Sequence, residues 1–87
     1  MAYSVELKPS AAKDLASLPK DVQRRLSRKI DSLSFNPRPP GCEKIKGEDD
    51  IFRVRLGDYR LVYLIFERRL LILIVKIGHR KDVYRGM

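Results

Sequence analysis

Ile51-Phe-Arg-Val-Arg-Leu-Gly-Asp-Tyr-Arg-Leu-Val-Tyr63 decides the fold. From Ile51 to Leu56 apolar and basic residues alternate, the period of a half-buried strand. Gly57-Asp58 has the composition of a two-residue hairpin loop. A second strand follows from Tyr59 to Phe66. A loop of that length pairs Leu56 with Tyr59, Arg55 with Arg60, Val54 with Leu61 and Arg53 with Val62. Directly opposed residues project to the same face of a sheet. Arg53, Arg55 and Arg60 therefore share one face. Phe52, Val54, Leu56, Tyr59, Leu61 and Tyr63 share the other, which is apolar and is expected to carry the helices.

Downstream, Glu67-Arg68 reads as a second tight turn and residues 69–77 as a third strand. That strand is apolar on both faces, as a central strand should be. A tight turn at Glu67-Arg68 sets Arg60 opposite Val75. Gly78 ends the strand, and residues 79–87 form a short basic tail.

Upstream, residues 2–7 alternate in polarity and read as a short strand. Pro9 suits the first position of a helix whose apolar stripe is Ala11, Ala12, Leu15 and Leu18. Pro19 closes it and opens a second helix, from Asp21 to about Phe35. Val22, Leu26, Ile30 and Leu33 are spaced there at the helical period. Arg24, Arg25, Arg28 and Lys29 fall elsewhere on its surface and read as a solvated face. Asn36-Pro-Arg-Pro-Pro-Gly41 stops the helix. Residues 42–50 are polar and read as irregular. The expected fold is a small α+β domain spanning residues 1–87. Its order is β-α-α-β-β-β, an antiparallel sheet with a two-helix hairpin packed on one face.

Composition narrows the function. The chain has 87 residues, enough for one domain with a small core. A single Cys, Cys42, and a single His, His79, exclude an internal disulfide and argue against a zinc site. No metal and no cofactor is expected. The longest apolar run, residues 70–75, is far short of the ~20 residues of a membrane-spanning helix. With no signal-like N-terminus, the expectation is a cytoplasmic protein with no membrane partner.

The formal net charge is +8. Residues 1–50 hold ten Lys/Arg against eight Asp/Glu; residues 51–87 hold nine against three. The positive field thus sits on the strands and tail, which suits a polyanionic partner. Arg55 directly opposite Arg60 is a destabilising like-charge pair. An anion would relieve it, and three guanidiniums suit phosphate oxygens. The competing reading is neutralisation from the acidic 43–50 segment, with Glu48, Asp49 and Asp50 as candidates. Arg80 is a candidate to join the patch from the tail. Tyr84 offers a ring for base stacking, a phenol for proton transfer, or a packing anchor. His79, one residue from Arg80, faces away from it by strand alternation and reads as structural. Cys42 reads as an ordinary thiol.

Phe52-Arg-Val-Arg-Leu-Gly-Asp-Tyr-Arg-Leu-Val-Tyr63, with Gly78-His-Arg-Lys-Asp-Val-Tyr84, resembles the RelE toxins of the RelE/ParE superfamily. Ala11-Ala-Lys-Asp-Leu-Ala-Ser-Leu-Pro19 and the Asn36-Pro37 end of the second helix fit as well. The resemblance covers nearly the whole chain. It implies a type II toxin that cuts mRNA in the A site of the 70S ribosome and so inhibits translation. Cleavage there is metal-free: the ribose 2′-hydroxyl attacks the adjacent phosphate and the 5′-oxygen leaves. The resemblance gives catalytic positions to Arg53, Arg55, Arg60, Arg80 and Tyr84; Lys81 and Arg85 of the basic tail are expected to bind RNA. It implies a RelB-like antitoxin, and operator DNA as a partner only through the toxin–antitoxin complex. Positions 53 and 55 are often lysine in RelE proteins. Arginine effectively keeps its proton, so the sequence names no general base. Two alternatives stand beside this reading: a ParE-like toxin that poisons gyrase without cutting RNA, and a non-catalytic basic nucleic-acid-binding module.

Overall fold

The computed structural model describes residues 2–45 and 50–79. Along the chain run β1 (Ser4–Leu7), α1 (Pro9–Ala16), α2 (Lys20–Leu33), β2 (Glu43–Lys44), β3 (Ile51–Leu56), β4 (Tyr59–Phe66) and β5 (Leu71–His79). The strands form one sheet in the order β1-β5-β4-β3-β2. The α+β architecture and the order of the main elements agree with the sequence expectation.

The helices follow their punctuation. Pro9 starts α1, where a missing N–H costs nothing. Pro19 caps α2 with an extended backbone. Between them, the Gln23 side-chain amide donates to the carbonyls of Leu18 at 2.8 Å and Ala16 at 3.2 Å, which pins the turn. Val22, Leu26, Ile30 and Leu33 of α2 are all buried. They close over Phe52, Val54, Leu61, Tyr63, Ile65, Ile72, Ile74 and Ile77 of the sheet. On α1, Ala11 is buried and Leu15 packs at the margin, as does Leu18 in the turn that follows, but Ala12 is exposed. The stripe of this short helix is narrow, and Ala12 lies about 100° round the axis from Ala11.

Three features of the sheet differ from expectation. First, β1 pairs with β5 in parallel, Ser4 opposite Leu71 through Leu7 opposite Ile74, so the sheet is mixed. The helical hairpin acts as a crossover: it carries the chain from one edge of the sheet to the other, and parallel pairing needs such a connection. Second, Glu43–Lys44 forms a fifth, edge strand against β3 where irregular chain was expected. Third, the β4–β5 connection is longer than a tight turn. A 3-10 turn at Glu67–Arg69 and a left-handed Leu70 (φ 49°) bring Phe66 opposite Leu71. A bulge then follows: Val62 faces Lys76 while Tyr63 faces Ile74. Together these set Arg60 opposite Gly78 rather than Val75.

The proline-rich segment after α2 is anchored on the buried Tyr63 side chain. Tyr63 is fully buried; its hydroxyl donates to the Pro37 carbonyl at 2.7 Å and lies 3.1 Å from Cys42 Sγ. Burial, then the Cys42 contact, pushes the phenol well above its ordinary pKa of 10.0, so it stays protonated and a donor. Tyr63→Phe keeps the ring and removes the hydroxyl. The expected cost is about 1–2 kcal/mol, since the Pro37 carbonyl loses its partner. Thermal unfolding of the two proteins reads it as a drop of about 4–8 °C per kcal/mol.

Candidate functional site

The β3–β4 register agrees residue for residue with the reading of the sequence: Leu56 faces Tyr59, Arg55 faces Arg60, Val54 faces Leu61 and Arg53 faces Val62. Arg53, Arg55 and Arg60 therefore stand together on the face away from the helices. They line a cleft of about 230 Å³ with Gly41 and Glu43.

Glu43 was not anticipated as a site residue. The edge strand β2 puts it directly opposite Arg53. Arg53 donates to Glu43 Oε2 at 2.6 Å. Both side chains are substantially exposed, so the pair adds little to stability. It does fix the carboxylate at the wall of the cleft. The Arg53 hydrogen bond and charge, with Arg55 and Arg60 behind them, hold the Glu43 carboxyl below its ordinary pKa of 4.5. Glu43 is thus ionised across the neutral range. Cys42-Glu-Lys-Ile45 shows no alternation, so nothing local marks this segment as a strand.

Neutralisation of the patch is partial. Among the described residues, neither Arg55 nor Arg60 has a carboxylate partner. Arg60 makes one long contact, Nη1 to its neighbour's carbonyl on Tyr59 at 3.4 Å. Asp50 does not supply the missing charge: it is exposed just before β3, at the end away from the hairpin. It borders a separate hollow with Glu67, Arg68 and Arg69. Glu48 and Asp49 lie outside the described residues. Among the described residues, one carboxylate against three guanidiniums leaves the cleft about +2, a match for phosphate oxygens gripped by planar forks.

Arg80, Lys81, Tyr84 and Arg85 also lie outside the described residues. The strand that leads to them ends at the cleft: Gly78 faces Arg60 and His79 faces Tyr59. His79 does not enter the cleft. It stands edge-on to the Tyr59 ring (centroids 5.8 Å apart, planes at 78°) and borders a hollow with Asp14, Ser17 and Leu18 of the helical layer. Cys42 is half-buried against Tyr63 and does not line the cleft. Among the described residues no group of three or more His, Cys, Asp or Glu could hold a metal, and no helix is long and apolar enough to cross a membrane.

Comparison with known proteins adds identity to this geometry. Residues 5–84 match the family described as ParE toxin of type II toxin-antitoxin system, parDE. The chain is 32% identical over 89 residues to a protein of Methanocaldococcus jannaschii that carries the name RelE1, with 99% of each chain covered. It is 27% identical over 88 residues to the mRNA interferase RelE of Shigella flexneri, covering 97% of this chain and 92% of that one. Its fold superposes on the toxin in the archaeal RelE-RelB complex of Pyrococcus horikoshii with a TM-score of 0.83 and 34% identity, over 95% of this chain and all of the other. The family description names ParE and the individual relatives are named RelE, two branches with one fold. With its arginine face, its element order and these full-length matches, the chain belongs to the RelE/ParE superfamily, as a RelE-like toxin of a type II toxin–antitoxin system.

Proposed function

We propose that this toxin is a ribosome-dependent endoribonuclease that cuts mRNA in the A site of the 70S ribosome. The observation that carries the reading is the cleft, in which one ionised carboxylate is fixed beside three converging guanidiniums. A gyrase-binding surface has no need of that pairing. The relative from Shigella flexneri, named an mRNA interferase, supports it.

The chemistry follows from the groups. The ribose 2′-hydroxyl attacks the adjacent phosphorus while its proton passes to a base. The 5′-oxygen leaves and takes up a proton, and a 2′,3′-cyclic phosphate remains. Glu43 is the base: it is deprotonated, and Arg53 fixes its position. Arg55 and Arg60 face the charge that builds on the phosphorane oxygens, where preorganised cations stabilise the transition state most. Arg53 orients Glu43 and adds to the same field. By resemblance, Arg80 adds a further cation and Tyr84 stacks on the reactive base or exchanges a proton; Lys81 and Arg85 of the basic tail hold RNA.

A RelB-like antitoxin is the proposed cognate partner, as in the Pyrococcus horikoshii complex. Operator DNA is met only through that complex. A ribosomal substrate places the protein in the cytoplasm.

The test is a programmed-ribosome assay, with cleavage mapped by primer extension. Wild type is expected to cut within the A-site codon, and Arg80→Ala and Tyr84→Phe are expected to cut far more slowly. Free RNA without ribosomes is expected to be cut poorly. No cleavage with toxicity retained in cells would sink the nuclease reading and move the target to gyrase. Brisk cutting of free RNA would remove the ribosome from the mechanism.

A further inference from the structure

The arginine cleft lies at a notch in the sheet edge, and the notch exposes backbone groups as well as side chains. The polar groups of β3 alternate between its two neighbours. Ile65 N–H donates to the Asp50 carbonyl at 3.1 Å on the β4 side, and Ile45 N–H donates to the Ile51 carbonyl at 2.9 Å on the β2 side. In an antiparallel ladder the N–H and C=O of one residue serve the same neighbour, and the direction reverses at each step. Ile51, Arg53 and Arg55 therefore turn their backbone groups away from β4, towards β2.

Only part of that row is met. Ile45 serves Ile51, and Glu43 stands opposite Arg53. The same register would bring Gly41 opposite Arg55, but the chain turns away there. Cys42 N–H donates to the Pro39 carbonyl at 3.0 Å, with Pro40 and a left-handed Gly41 (φ 86°) between them. This is a type II turn, whose third residue needs positive φ. A Cβ built on Gly41 would meet nothing within 4 Å, so the space beside the turn is open. Among the described residues the Arg55 N–H has no hydrogen-bond partner. Gly41 and Arg55 both line the cleft.

We propose that the Arg55 backbone N–H is an uncharged phosphate donor of the cleft, which meets a phosphoryl oxygen of RNA while the guanidiniums supply the charge. Unpaired N–H groups at a sheet edge form anion-binding concavities, and this one is already ringed by cations. The β3–β4 ladder fixes the group in place, so it needs no reorganisation as charge builds on the phosphorane. The exposed Arg55 side chain, by contrast, must be ordered first. The Arg55 carbonyl shares the edge, and a ribose hydroxyl can donate to it. A ribose-phosphate thus suits the notch better than a bare anion. The catalytic part of this role rests on the proposed function; the binding does not.

The test is a full-length chain made by chemical ligation at Gly41–Cys42, with Arg55 replaced by its α-hydroxy analogue. An ester then stands for the Val54–Arg55 amide: the N–H is lost and the guanidinium is kept. The same exchange at Val5 is the control. Ser4 and Lys8 donate inward to β5, so the Val5 N–H faces out from the opposite edge of the sheet, and its ester carries a like cost to the fold. On programmed ribosomes the Arg55 ester is expected to cut about 10²-fold more slowly, with KM little changed. The Val5 ester is expected to cut as wild type does. A second readout uses the unmodified protein, and so stays decisive should the Arg55 ester fail to fold. The Arg55 amide proton is expected to move downfield, saturably, as uridine 3′-phosphate is titrated in. Equal cutting by a folded Arg55 ester and wild type overturns the inference, and so does an Arg55 amide that the nucleotide leaves unmoved. If the amide responds yet the wild type never cuts on ribosomes, the donor stands and the nuclease reading falls.

Discussion

Arg55→Thr is expected to lower A-site cleavage by about 10²–10³-fold, the usual loss when one preorganised transition-state contact is removed. The same variant is expected to be slightly more stable than wild type. Arg55 stands directly opposite Arg60 in the strand pair, and neither has a carboxylate partner among the described residues. Directly opposed like charges destabilise a sheet, and solvent reduces the effect to about a few tenths of a kcal/mol. Threonine keeps the strand propensity while removing the charge. The gain is about 1–3 °C in Tm for a domain of this size. Single-turnover cleavage on programmed ribosomes and a thermal melt, run on one preparation, check both halves. A large loss of stability would mean that the arginine pair serves the fold, and the anion-site reading would be lost. Ribosome affinity is expected to change little, since a contact made mainly in the transition state lowers kcat with little effect on KM.

Glu43→Gln is expected to cost about 10²-fold in the cleavage step. General-base catalysis usually contributes 10²–10⁴-fold. The lower end applies because Arg53 depresses the Glu43 pKa and so weakens it as a base. The pH dependence has a definite sign. A depressed carboxyl is charged everywhere above its lowered pKa and is lost as a base only as pH falls through that value. The wild-type rate is therefore expected to keep its base down to pH values below 4.5, the ordinary carboxyl value. A histidine base would instead give an acidic limb near pH 6.5. A limb near neutrality that survives Glu43→Gln would assign the proton transfer to another group. The Glu43–Arg53 pair makes stability follow the same direction: its contribution is present above the ordinary carboxyl pKa and disappears as the acid form takes over.

The sequence by itself determined the elements that rest on short-range rules. Helix α2 was legible because Val22, Leu26, Ile30 and Leu33 repeat at the helical period, and all four are buried. The β3–β4 hairpin was legible because Gly57-Asp58 fixes the loop length, and loop length fixes register. Register in turn puts Arg53, Arg55 and Arg60 on one face by local rules alone. What only the tertiary structure decided depends on long-range pairing. The parallel partnership of β1 with β5 joins Ser4 to Leu71, near opposite ends of the chain, and no local pattern encodes it. The bulge after Val62 and the left-handed Leu70 moved Arg60 from Val75 to Gly78, a shift that alternation alone does not reveal. Glu43 is the clearest case. Two residues of edge strand have no periodicity to read, and they acquire meaning only because β3 offers them a free edge. Local chemistry thus supplied the cations, and the pairing of a distant edge supplied the carboxylate that faces them.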